Sequence, residues 1–137
     1  MQSLVKQKGL SAFGWLVVIF LFGIALTIAY AMIPAYYDNT LVADGLKSIG
    51  SSPDVKTMSR EQAIGKLQSY FDLNGVRGEP TKSIKVVRRS EGILVNIDYE
   101  VRENIFGNVD VVMRFENQLD TSNPDACCKP LIADEEK

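Results

Sequence analysis

The sequence predicts an α+β protein: one long N-terminal helix, part transmembrane and part stalk, leads into a small head with one helix and a three-stranded antiparallel sheet. Three observations carry that prediction. An uncharged stretch of 29 residues runs from Gly9 to Tyr37, between Lys8 and Asp38. An apolar face then recurs at helical spacing after Ser59, and from Ser83 onward the apolar period changes to two.

The apolar heart of the uncharged stretch, Phe13 to Ile33, is 21 residues long. At 1.5 Å rise per residue such a helix is roughly 31 Å long, close to the hydrocarbon thickness of a bilayer. No later window approaches it, so the chain reads as a single crossing that carries one water-soluble module. The layout is then 1–9 as cytoplasmic N-terminus, 10–37 as transmembrane segment, 38–57 as stalk and linker, 58–120 as head and 121–137 as flexible acidic tail. Lys6 and Lys8 precede the span while Asp38 and Asp44 follow it, and basic residues stay on the cytoplasmic side during insertion, so the head is the translocated part. Residues 38–137 hold 13 basic and 17 acidic groups, a net charge of −4, which gives no reason to expect nucleic acid as a partner. Trp15 at one end and Tyr30, Tyr36 and Tyr37 at the other stand where interfacial aromatics belong.

Two rival readings of this segment concern proteolysis. Ala29-Tyr30-Ala31 has the small-x-small pattern of a signal-peptide cleavage site. Against it, the apolar run from Ala12 to Thr27 is already long for a signal peptide, and apolarity continues through Met32, Ile33 and Ala35. Lys6-Gln7-Lys8-Gly9 resembles the leader of a type IV pilin, a short basic segment ending in glycine before a long apolar helix. Gly14 stands where pilins carry a glutamate. The intact mass of membrane-extracted protein separates an anchor from a cut at Gly9 or at Ala31.

Beyond the span, Pro34 can be absorbed as a kink, and Leu41, Val42, Leu46 and Ile49 continue the helical spacing until Gly50-Ser51-Ser52-Pro53 stops it. A helix from Leu10 to Ile49 is roughly 60 Å long, half in lipid and half as a stalk or packed on the head. Gly23, Thr27, Ala31 and Ala35 fall at every fourth position, a stripe of the kind that lets transmembrane helices approach closely. It is the candidate helix–helix interface. The partners this implies, besides the lipid bilayer, are another membrane protein or a second copy of the chain.

In the head, Ser59 with Gln62 reads as a capping box, and Ala63, Ile64, Leu67, Tyr70 and Phe71 mark one helix face that Asn74-Gly75 ends. Ile84 and Val86 alternate with Lys85 in a first strand. Ile93, Val95, Ile97, Tyr99 and Val101 face one way in a second, opposite Asn96, Asp98, Glu100 and Arg102. A turn at Ile105-Phe106-Gly107-Asn108 leads to a third strand with Val109, Val111, Met113 and Phe115 on one side. One sheet face is expected in solvent and the other under a helix. About 60 residues is marginal for an independent core, so help from the spine helix is expected.

Groups with distinctive chemistry are few. The chain has no histidine, which removes the commonest general base and most transition-metal sites. Neither cofactor nor small-molecule substrate is suggested, and serine–lysine pairs can be drawn on paper without any spacing that selects one. Cys127 and Cys128 are adjacent and lack the spacing of a zinc-chelating or redox pair. A bridge between them would close a strained small ring; an intermolecular disulfide, a labile redox pair or two thiols in a loose tail are the expectations. Lys82, Lys85, Arg88 and Arg89 form the one cationic cluster, read either as charge protection of an edge strand or as a contact for anionic headgroups or an acidic partner. Glu100 and Arg102 share a strand face, where an exposed ion pair contributes little. The inventory suits a non-enzymatic interaction protein.

The start Lys6-Gln7-Lys8-Gly9-Leu10-Ser11, the span end Ile33-Pro34-Ala35-Tyr36-Tyr37, and the segment from Tyr99-Glu100-Val101-Arg102 through Asn108 to Phe115 resemble a family of small bacterial inner-membrane proteins, domain of unknown function 4845. The resemblance implies a single-span, periplasm-facing protein of a Gram-negative cell. Members tend to be encoded beside the leader peptidase, which points toward export or membrane-protein maturation. No catalytic residues come with the family.

Overall fold

The computed structural model describes residues 11–129. Its first element is a single helix, α1 (Ala12–Gly50), which runs unbroken through Pro34. The Ser11 hydroxyl caps its start by accepting from the Gly14 N–H at 3.3 Å. The N-terminal part is long and apolar enough to cross a membrane, with a mean hydropathy of 2.7 over its most apolar window and no residue of that window buried. From Ala35 onward the same helix changes role. Ala35, Val42, Gly45, Leu46 and Ile49 are buried against the head.

The head follows in the order α2 (Arg60–Asn74), α3 (Glu79–Lys82), β1 (Ile84–Arg89), β2 (Gly92–Phe106) and β3 (Val109–Asp120). Ser59 and Gln62 make the reciprocal capping box at the start of α2, and Gly75 ends that helix with φ 74°, a left-handed conformation that costs glycine nothing. The sheet is antiparallel in the order β1-β2-β3. Its register places Val86 opposite Val95, Val95 opposite Leu119 and Tyr99 opposite Phe115. The core face therefore carries the odd-numbered residues of β2 and β3, and both α1 and α2 lie over it. Val42, Leu46, Leu67, Phe71, Ile97 and Leu119 belong to one buried cluster. The expected help from the spine helix is thus realised as shared core.

The structure departs from the sequence expectations in three places. The hairpin turn is tighter, because Ile105 and Phe106 remain in β2 and only Gly107 and Asn108 lie between the strands. The face opposite the helices is not wholly solvated, since Leu94, Asn96 and Gln118 are buried there. And residues 121–129, expected as the start of a flexible tail, fold back on the sheet. The Thr121 hydroxyl accepts from the Ile93 N–H at 2.8 Å and donates to the Ile93 carbonyl at 3.1 Å. A 3-10 turn, Pro124–Ala126, brings Cys128 back so that its carbonyl accepts from the Gln118 N–H at 3.1 Å. Asn and Thr outside a periodic run read as loop, whereas here a buried hydroxyl closes the end of β2. Gly92 makes room for it, because a Cβ there would collide with the Thr121 hydroxyl. The acidic remainder of the tail lies outside the described residues.

Two substitutions separate these contributions. Leu46→Ala removes a fully buried side chain shared by helix and sheet and is expected to destabilise the head by about 2–5 kcal/mol. Thr121→Val leaves the Ile93 N–H without its acceptor and is expected to cost about 1–3 kcal/mol. Urea denaturation of the detergent-solubilised chain, followed by near-ultraviolet circular dichroism, measures both.

Candidate functional site

The helix face proposed for partner binding is divided by the fold. Ala35 is buried in the head, and Ala31 is half-covered, as are Ile28 and Met32 on the same side of α1. Ala31 and Ala35 thus serve contacts within the chain. Gly23 and Thr27 remain exposed, and a Cβ at Gly23 would meet nothing within 4 Å. The Thr27 hydroxyl donates to the Gly23 carbonyl at 2.9 Å, so its hydrogen-bonding need is met inside the helix and the exposed side chains at this stretch of the stripe are small.

Where the helix enters the head, polar groups are gathered into a joint. The Asn39 carboxamide oxygen accepts from the Asn117 amide at 2.7 Å and from the Tyr99 hydroxyl at 3.3 Å, tying one turn of α1 to both long strands. The Phe115 ring packs edge-on to Tyr36 at 5.3 Å and against Tyr99 at the same separation. Burial raises the Tyr99 phenol from its ordinary 10.0 to about 12, with the nearby Asp38 charge adding to the effect. Burial likewise raises the Asp38 carboxyl. These groups hold the head at a set angle to α1, and nothing in their arrangement places a nucleophile beside a base.

The basic cluster also changes membership. Lys82 pairs with Glu79 at 3.2 Å and leaves it, while Arg60 at the start of α2 joins it. Arg60, Lys85, Arg88 and Arg89 line an open groove of about 850 Å³ along β1, floored by Val87 and Leu94. None of the four is held in a salt bridge among the described residues. Glu61 is the neighbouring carboxyl; its own backbone N–H and the Ser59 hydroxyl hold it low, and the charges of Arg60 and Arg88 act in the same direction. Among the described residues β1 has β2 on one side only, so its other edge faces this groove with no strand beside it. Arg60 lies 25 residues before Lys85 in the chain, so no linear charge pattern joins them.

Cys127 and Cys128 are bonded to each other, unlike the intermolecular bridge or the loose thiols expected from their spacing. The return of the chain along β3 explains the difference: Cys128 reaches α1, with its sulfur 3.4 Å from the Ala43 carbonyl, and both residues pack against the core.

Two measurements follow. In an absorbance titration of tyrosinate, Tyr99→Phe is expected to remove a component that ionises near pH 12. Since the folded state raises this pKa, its stabilising contribution is complete below pH 10 and is lost as the pH rises from 10 to 12. Denaturation midpoints across that window should fall more steeply in the parent than in Tyr99→Phe. For the cysteines, non-reducing electrophoresis is expected to show no disulfide-linked dimer, and thiol alkylation should add mass only after reduction.

The family model of a domain of unknown function (DUF4845) matches residues 31–115, well over half of the chain. No curated protein and no solved structure matches it significantly. The matched segment begins in the last turns of the apolar part of α1 and closes at Phe115 in the joint, so it takes in the helix-to-head junction and most of the sheet. By that match the chain belongs to the DUF4845 family.

Proposed function

We propose that this protein is a non-enzymatic, single-pass inner-membrane subunit that holds a small periplasmic head at a set height above the bilayer for another envelope component. The observation that carries the reading is the dual use of α1. One continuous helix is apolar and unburied over its first part and a core element of the head over its last, so the head cannot swing on a linker. A rigid stalk of this kind suits presentation and serves no purpose in a freely diffusing enzyme. Lys6 and Lys8 before the span orient the amino end toward the cytoplasm. Export or membrane-protein maturation is the process that the family resemblance suggests.

Two surfaces serve the partner in this reading. The exposed Gly23–Thr27 face meets another transmembrane helix, or a second copy of this one, and the basic groove along β1 meets an acidic segment of the same complex. The groove lies at the end of the sheet away from the span, beside the Leu119 level where α1 ends at Gly50, about 24 Å of helix beyond Pro34. Headgroups of the same bilayer are out of its reach, which favours a protein contact.

The layout of a half-apolar helix packed on an antiparallel sheet also favours a second reading, a pilin-like structural subunit processed at Gly9. Loss of residues 1–9 in the intact mass, together with recovery in filaments, would replace the first reading with this one.

Affinity capture from membranes after brief crosslinking in cells tests the proposal. The full-length chain is expected to recover a stoichiometric membrane partner that Gly23→Leu loses, with the head fold unchanged because a Cβ at Gly23 would meet nothing within 4 Å. Equal recovery by Gly23→Leu would remove the span face from the interaction.

A further inference from the structure

We infer that the tip of the β2–β3 hairpin dips into the outer surface of the bilayer that holds α1, giving the head a second membrane contact. The inference rests on the reading of α1 as a span. It begins from four paired positions along the helix and the sheet. Gly50 faces Leu119, Asn39 bonds Tyr99 and Asn117, Tyr36 meets Phe115, and Pro34 lines a cleft with Val101 and Glu103. Moving down α1 toward its apolar part therefore means moving along β2 from Val95, the partner of Leu119, to Glu103. Those eight residues of strand cover about 26 Å, and the sixteen residues of helix from Gly50 to Pro34 cover about 24 Å, so strand and helix run nearly side by side.

The hairpin does not stop at Pro34. Three more residues carry Phe106 about 10 Å further in the same direction, level with the region of Thr27 and Ile28. β1 pairs only with residues 92–97 of β2, so this part of the hairpin is a two-stranded arm beyond the body of the sheet. The partial cover of Ile28, Ala31 and Met32 lies on the side of α1 continuous with buried Ala35, as an arm descending along that face requires.

The residues of the arm suit lipid. Phe106 is 82% exposed, and Val109 and Val112 are also open, so three of the five exposed large apolar side chains described in the head lie on this arm, Leu73 and Val87 being the other two. A tip entering the headgroup and upper acyl region must not carry orphaned carbonyls. Here the Asn104 amide donates to the Gly107 carbonyl at 2.9 Å and to the Asp110 carboxylate at 2.8 Å, with a longer contact to the Val109 carbonyl. Arg102 faces Asp110 at 3.7 Å, and Glu103 is half-covered, so the charges sit just behind the apolar tip, at headgroup depth. An aromatic ring with a polar base is the composition that settles at a bilayer surface.

The test uses the full chain in vesicles of phosphatidylethanolamine and phosphatidylglycerol, with or without brominated acyl chains. Trp15, the sole tryptophan, reports on the span in the parent protein. In Trp15→Phe with Phe106→Trp, the new indole is expected to emit to the blue of its value in water and to lose intensity to brominated lipid. In Trp15→Phe with Val87→Trp, on the groove side, the indole should be unaffected by bromine. Emission characteristic of water from the Phe106→Trp chain would overturn the inference. So would blue-shifted emission that bromine leaves unchanged, which would place the tip against protein. Quenching of Trp15 without quenching at position 106 sinks the hairpin contact alone, absence of both sinks the span as well, and quenching at 106 alone removes the span and with it the inference as stated.

Discussion

Val42, Leu46 and Ile49 of α1 are buried in one cluster with Phe71, Ile97 and Leu119, and this packing of the spine helix into the head is the contact on which the other features depend. Each such side chain contributes about 1.5–3 kcal/mol when fully buried, and a head of about 60 residues is marginal without them. The same backbone continues into a part whose side chains need lipid or another apolar partner. One helix is therefore committed to two environments, and the boundary between them near Ala35 sets where the head can sit.

The joint at that boundary is built from groups that tolerate neither environment alone. Asn117 and Tyr99 both donate to the Asn39 carboxamide oxygen at the level where Tyr36 and Phe115 stack edge to face. A buried carboxamide left without partners would cost more than its packing returns, so this node fixes the rotation of α1 on the sheet as well as its height. Rotation matters for the exposed face. It turns Ala31 and Ala35 inward and leaves Gly23 and Thr27 outward, so a single helix supplies an intramolecular contact on one part of a stripe and an open surface on another.

At the opposite end, the Thr121 hydroxyl and the Cys128 carbonyl satisfy the backbone groups of Ile93 and Gln118. These bonds close one end of the sheet and one edge, on the β3 side. Among the described residues the edge of β1 has no neighbouring strand and is charged instead, which keeps it from pairing indiscriminately while leaving an accessible cationic groove.

The sequence by itself determined the elements whose signal is local. Twenty-nine uncharged residues mark the helix long enough for a membrane, Ser59 and Gln62 with Gly75 bracket α2, and the alternation after Ser83 sets the strands, because capping, periodicity and hydrophobic length act over a few turns of chain. Only the tertiary structure decided what each face meets. That Ala35 belongs to the head, that Arg60 joins Lys85 and that Thr121 completes β2 all follow from contacts between residues far apart in sequence. Cys127 reads as tail for the same reason, since what holds it is the return of the chain past β3 to α1. A periodic pattern says that a side chain is apolar or small; it takes the folded neighbours to say which surface it covers.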